Sequence, residues 1–130
     1  MLLNIKQHGE HASKDEQEAN VLAQAQKTEV NKLGFSGVVT RQDIVANCDY
    51  VGEGYEIPTQ SLVEAVTLLA RHEGILLGPV YSGKGMAGLI DMIRNGYSKE
   101  GENAVFLHTD GCVALFGYPE ALGFPDYQTW

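Results

Sequence analysis

Three short stretches combine glycine with a hydroxyl or phenol at the edge of a predicted element: Gly54-Tyr55, Tyr81-Ser82-Gly83-Lys84 and His108-Thr109-Asp110-Gly111. Two follow strands and the third precedes a helix, so all three can converge on one crevice at the carboxyl ends of strands, where open α/β sheets bind ligands. Neutral donors of this kind hydrogen-bond rather than ligate metal, which suits an anionic, heteroaromatic or amino-acid ligand. Taken singly, each also reads as a plain turn.

Other constellations compete. Gly78-Pro79-Val80-Tyr81-Ser82-Gly83-Lys84 fits the start of a phosphate-binding loop, G-x-x-x-x-G-K, and would make the chain a nucleotide binder. Against this, Gly85 stands where a Ser or Thr should hold Mg²⁺, and Pro79 removes a backbone donor; the plain alternative is a glycine-rich helix entry with a solvated Lys84. His8 and His11 are three apart, a metal-ligand spacing on a helix, but Gly9 and the polar surroundings favour a solvated segment. His72 can oppose the negative end of a helix dipole, and His108 is expected as a satisfied core histidine in a buried strand. No serine lies in G-x-S-x-G. Cys48 and Cys112 lack C-x-x-C partners and read as reduced packing residues.

The elements that must position these residues follow from spacing. Leu2 to Lys6 reads as a short strand. Ala19, Leu22, Ala23, Val30 and Leu33 make the buried stripe of a helix from Lys14 to Leu33, stopped by Gly34. Asp43 to Cys48 reads as a strand leading into the loop Tyr50 to Tyr55. A helix starts at Pro58-Thr59 and ends at Gly74, apolar around nearly its whole circumference, as if it expects more neighbours than a small domain supplies. Ile75 to Leu77 and Ala104 to His108 read as buried strands. Between them a helix from Gly83 to Asn95, with Ser82 as its N-cap, buries Met86, Leu89, Ile90 and Ile93 and turns Asp91 and Arg94 outward. A short helix spans Cys112 to Phe116, and an irregular tail follows. The alternation predicts an α/β layer structure with parallel pairing.

The chain has 130 residues, 44% hydrophobic, with 9 Lys+Arg against 17 Asp+Glu for a net charge of −8. That is one modest domain. The acidic balance and scattered cations argue against a nucleic-acid partner. No apolar run approaches the roughly 20 residues of a membrane span, and the N-terminus does not read as a signal peptide, so a cytoplasmic protein is expected.

Read together, Asp49 to Thr59, Leu69 to Asp91 and Val105 to Gly111 resemble the D-cysteine desulfhydrase and 1-aminocyclopropane-1-carboxylate deaminase family. These are pyridoxal-phosphate enzymes of the tryptophan-synthase-β-like fold. The resemblance is close from Asn47 to Tyr118 and looser from Leu2 to Asn47. It implies a three-layer parallel-sheet segment of a fold-type-II enzyme over residues 1–118, with an irregular tail over 119–130. It implies pyridoxal 5'-phosphate as cofactor and a small amino acid as substrate. Tyr55 and Tyr81 match the tyrosines lining the substrate side, with Tyr81 the proton-transfer group. Thr109 matches the hydroxyl residue that bonds the pyridine nitrogen, a neutral partner suited to elimination at the β-carbon. Ser82 and Gly111 fall at cofactor-facing positions, and Ser82 also borders the substrate. Deaminases of the family typically carry Glu at the position of Ser82, whereas desulfhydrases carry Thr or similar. The resemblance therefore implies β-elimination from D-cysteine or cysteate, giving pyruvate and ammonia, with deaminase activity as the alternative.

Two departures accompany the resemblance. Asp110 replaces the first glycine of the family's H-T-G-G. The resemblance reaches only about the last third of a family member, so the Schiff-base lysine and the glycine-rich phosphate cradle have no counterpart here; Lys84 matches the helix entry. The expectation is a partial active site, inactive alone, whose partner is the missing portion, a second copy, or neither if the chain is a non-catalytic remnant.

Overall fold

The computed structural model describes the backbone of residues 2–4 and, with side chains, residues 13–54, 56–109 and 111–123. The chain divides into two compact units, Met1–Cys48 and Asp49–Trp130.

In the first unit, β1 (Leu2–Asn4) pairs in parallel with β2 (Ile44–Ala46), Leu2 opposite Ile44 and Asn4 opposite Ala46. A parallel pair needs a long crossover, and helix α1 (Lys14–Thr28) supplies it. Ser13 caps α1 reciprocally with Glu16: its hydroxyl accepts from the Glu16 N–H, and the Glu16 carboxylate accepts from the Ser13 N–H at 2.8 Å. The helix widens into a π turn over Glu29–Leu33 and ends at Gly34 with φ 73°, the expected left-handed stop.

The expected stripe of α1 is not the one that faces inward. Gln17, Glu18 and Glu29 are buried and Leu22 and Ala25 half-buried, while Ala19, Ala23, Val30 and Leu33 are exposed. Positions 18, 22, 25 and 29 share one helix face, but its two ends are acids, so an apolar count misses it. Glu18 bridges the unit: one carboxylate oxygen accepts from the Ala46 N–H at 2.9 Å and the other pairs with Arg41. The Ala46 N–H, with help from the Arg41 guanidinium, holds the Glu18 carboxyl below its ordinary value. Glu29 accepts from the Val39 N–H at 2.6 Å. The expected strand from Asp43 to Cys48 shortens to β2, because Arg41–Asp43 forms a 3-10 turn capped by Thr40.

The second unit is built on α2 (Gln60–Glu73) and α3 (Ser82–Arg94). Thr59 caps α2, its hydroxyl accepting from the Leu62 N–H at 3.2 Å, and Gly74 closes it at φ 67°. Leu62, Ala65 and Val66 of α2 pack with Met86 and Ala87 of α3, with Leu77 and with Leu115 to form the core. Gly83 permits this approach, since a Cβ there would lie 2.9 Å from Val66 Cγ2 and 3.1 Å from Leu62 Cγ. Cys112–Gly117 forms the expected short helix, as a 3-10 turn.

Three expectations are corrected here. Ile75–Leu77 and Ala104–His108 are not paired as strands among the described residues; Leu77 is buried and Phe106 half-buried, but Ile75, Leu76, Val105, Leu107 and His108 are exposed. A strand exists only where a ladder satisfies its backbone, and no described segment supplies that ladder. Ser82 is not the N-cap of α3 but its first residue; Tyr81 holds the cap position, and its side chain does not cap the helix. Ile93 is exposed, narrowing the buried stripe of α3 to Met86 with Leu89 and Ile90 half-buried. Asp91 and Arg94 do face outward, Arg94 pairing with Glu64 at 2.7 Å. Among the described residues no helix is long and apolar enough to cross a membrane.

Candidate functional site

The loop that enters α3 closes on itself. The Ser82 hydroxyl is buried, accepts from the Gly78 N–H at 2.7 Å and donates to the Gly78 carbonyl at 3.4 Å. The Gly83 N–H donates to the same carbonyl at 2.8 Å, and the Gly85 N–H to the Tyr81 carbonyl at 2.9 Å. The Gly83 and Gly85 amides, two of the donors a phosphate-binding loop would offer, are thus bonded within the loop and the first helical turn, which counts against the nucleotide-binding alternative. Pro79, fully buried, fits such a closed turn.

Lys84 completes the correction. It is not solvated; with 0% exposure it is the largest fully buried side chain described. Its Nζ donates to the Val51 carbonyl at 2.6 Å and to the Gly54 carbonyl at 2.9 Å. Burial pulls its pKa below the ordinary lysine value. No sequence pattern distinguishes this lysine from a surface one, because its acceptors are main-chain carbonyls about 30 residues away.

A second segment lies against the loop. A Cβ on Gly78 would come within 2.8 Å of the Gly111 carbonyl oxygen and 3.0 Å of Gly111 Cα. Only glycine permits so close a main-chain approach. Gly111 has φ 100°, another requirement for glycine. One step along, His108 Nε2 donates to the Leu76 carbonyl at 3.0 Å, so His108 is satisfied, but from the surface rather than in the core. Thr109, between these contacts, is exposed, as is Tyr81 at 44%.

Of the expected site residues, the structure brings the loop of Tyr81 and Ser82 beside the segment of Thr109 and Gly111. The Val51–Gly54 loop joins them through Lys84; Tyr55 itself lies outside the described residues, as do Asp110, His8 and His11. Sequence reasoning missed one further contact: Tyr50 donates its hydroxyl to Asp91 Oδ2 at 2.6 Å.

Residues 6–110 match the family described as pyridoxal-phosphate dependent enzyme. Among curated proteins, the 1-aminocyclopropane-1-carboxylate deaminase of Pseudomonas syringae pv. syringae is 40% identical over 108 residues, 82% of this chain and 31% of the relative. The protein of that name from Methylobacterium nodulans is 38% identical over 100 residues, 77% of this chain and 29% of the relative. The chain thus spans about three tenths of the length of the curated relatives it matches. A family match over most of the chain, with the glycine and hydroxyl loops of the resemblance side by side, establishes that this chain belongs to the pyridoxal-phosphate dependent enzyme family.

Proposed function

We propose that the chain forms one wall of the active site of a pyridoxal-phosphate dependent lyase that eliminates a sulfur leaving group from the β-carbon of D-cysteine or a related amino acid such as cysteate, giving pyruvate and ammonia. The observation that carries this reading is the contact of the Gly78–Lys84 loop with the Thr109–Gly111 segment, two motifs of the family held together by the bare backbones of Gly78 and Gly111.

The residues present suit one side of the cofactor. Gly78 and Gly111 offer a flat, side-chain-free surface, and Thr109 is an exposed neutral hydroxyl. In this reading Lys84 is not its lysine, because the amine is sealed against two carbonyls. The Schiff-base lysine is assigned to residues outside this chain. When bound, pyridoxal phosphate supplies the electron sink for the substrate's α-carbon. Thr109 Oγ1 would hold the pyridine nitrogen by a neutral hydrogen bond, a partner that would suit loss of a β-substituent better than a carboxylate would. The Tyr81 phenol, exposed at the start of α3, holds and moves the proton at the substrate side, with Tyr55 as the second phenol. Ser82 borders the substrate where a Glu would mark a deaminase. Its hydroxyl is spent on Gly78, so it shapes the loop that presents Tyr81.

The exposed apolar side chains of Ile75, Leu76, Val105 and Leu107 support strands in segments 75–77 and 104–108 within a larger three-layer parallel-sheet fold to which residues 1–118 are assigned. One observation favours a second reading, amino-acid deamination: the relatives at 38–40% identity carry the name 1-aminocyclopropane-1-carboxylate deaminase.

An assay separates these readings. Given pyridoxal phosphate and D-cysteine, the chain alone releases neither sulfide nor pyruvate; supplied with the residues outside this segment, in frame or as a second chain, it releases both. In that assembly Tyr81→Phe and Thr109→Ala each lower turnover about tenfold or more. Ammonia from 1-aminocyclopropane-1-carboxylate without sulfide from D-cysteine selects the deaminase. Sulfide from the chain alone, or borohydride fixing the cofactor to Lys84, overturns the proposal.

A further inference from the structure

Lys84 does nothing in the chemistry just described, yet it is the largest fully buried side chain described, and burial holds its pKa below the ordinary lysine value. A lysine is rarely enclosed unless its amine has partners. Here the partners belong to a single loop: Nζ donates to the carbonyls of Val51 and Gly54, three residues apart. One amine with several donors can close such a turn in a way that a side chain with one donor cannot.

Two further observations concern the same loop. Tyr50, at its start, donates to Asp91 of α3 at 2.6 Å, and residues 84 and 91 are seven apart, two helical turns along one face. The loop is therefore tied to α3 at both ends of that face. Just beyond it, Glu56 has φ 62°, the only positive φ of a non-glycine residue among the described residues. A side chain in the left-handed region persists only where its surroundings hold the backbone there. Lys84 fixes the chain two residues before Glu56, at the Gly54 carbonyl.

We propose that Lys84 is a positioning residue whose enclosed amine staples the Tyr50–Gly54 loop to the first turn of α3 and so sets the wall that this loop contributes to the candidate site. The role of that wall rests on the functional reading above; the staple itself does not.

Backbone hydrogen exchange in the full chain tests it. Lys84→Met, which keeps length and apolar volume, raises exchange at residues 51–54 about tenfold or more and leaves the interior amides of α2 within about threefold of the parent. Lys84→Arg, which restores donors, recovers most of the loop protection. A uniform rise across α2 and the loop, with no recovery by Arg, makes Lys84 a core filler and overturns the proposal, as does an unchanged loop. If the Met variant does not fold, the parent decides. An enclosed amine gives a distinct side-chain nitrogen resonance at neutral pH whose protons exchange about tenfold or more slowly than those of a surface lysine. A Lys84 amine exchanging like the others overturns the staple. None of these measurements uses cofactor or substrate, so failure of the staple and failure of the lyase reading are seen separately.

Discussion

Tyr50 shows how one hydrogen bond reads out at the residue scale. Its bond to the Asp91 carboxylate, followed by burial, pushes the phenol from its ordinary 10.0 up to about 12. The folded state therefore keeps a proton that the unfolded chain loses near pH 10. Stability from this pair is complete below that pH and declines as pH rises through the interval up to about 12. In a spectrophotometric titration Tyr50→Phe removes a phenol ionisation near pH 12, and in alkaline unfolding it makes the loss of stability over that interval shallower. Superimposable curves for parent and variant dismiss the bond. At this scale the candidate residues Tyr81, Ser82, Thr109 and Gly111 stood out in the sequence because glycine, hydroxyl and phenol recur at element edges. Lys84, Tyr50 and Asp91 were not legible, since each acts on a partner about 30 or more residues away, with no local periodicity to report it.

At the scale of elements, the contact between Gly78 and Gly111 is the most exacting feature of the second unit. Gly78→Ala places a Cβ 2.8 Å from the Gly111 carbonyl oxygen, where neither backbone can swing aside. The variant loses about 1–3 kcal/mol in denaturant unfolding. Gly117→Ala, with open space at its Cβ position, changes stability by about 0.5 kcal/mol or less. Equal effects of the two substitutions refute the close approach. The helices were legible because starts and stops are local: Thr59, Gly34 and Gly74 mark ends within a residue of those observed. The inward face of α1 was not, because Glu18 and Glu29 are buried for the N–H groups they accept from, Ala46 and Val39. Hydropathy places such residues on the solvent side.

At the scale of the molecule, several apolar side chains lack cover among the described residues: Val105 is 95% exposed, Leu107 80% and Phe116 78%. Apolar surface of this kind drives association. The isolated chain is therefore expected to elute from size exclusion at volumes that shift with protein concentration and to bind an apolar dye while folded; a concentration-independent monomer without dye binding contradicts this. By itself the sequence determined the family, through motifs whose order and residue types survive without any coordinates, and the helices, whose ends are signalled within a few residues. It also determined that segments 75–77 and 104–108 are apolar enough to expect burial. Only the tertiary structure decided which of those expectations this chain meets. Leu77 finds a core and Val105 does not; Ser82 turns inward to Gly78; Lys84 is sealed rather than solvated. The physical reason is common to all: burial and hydrogen-bond partnership depend on groups far apart in sequence, whereas propensity, capping and motif spacing are written locally.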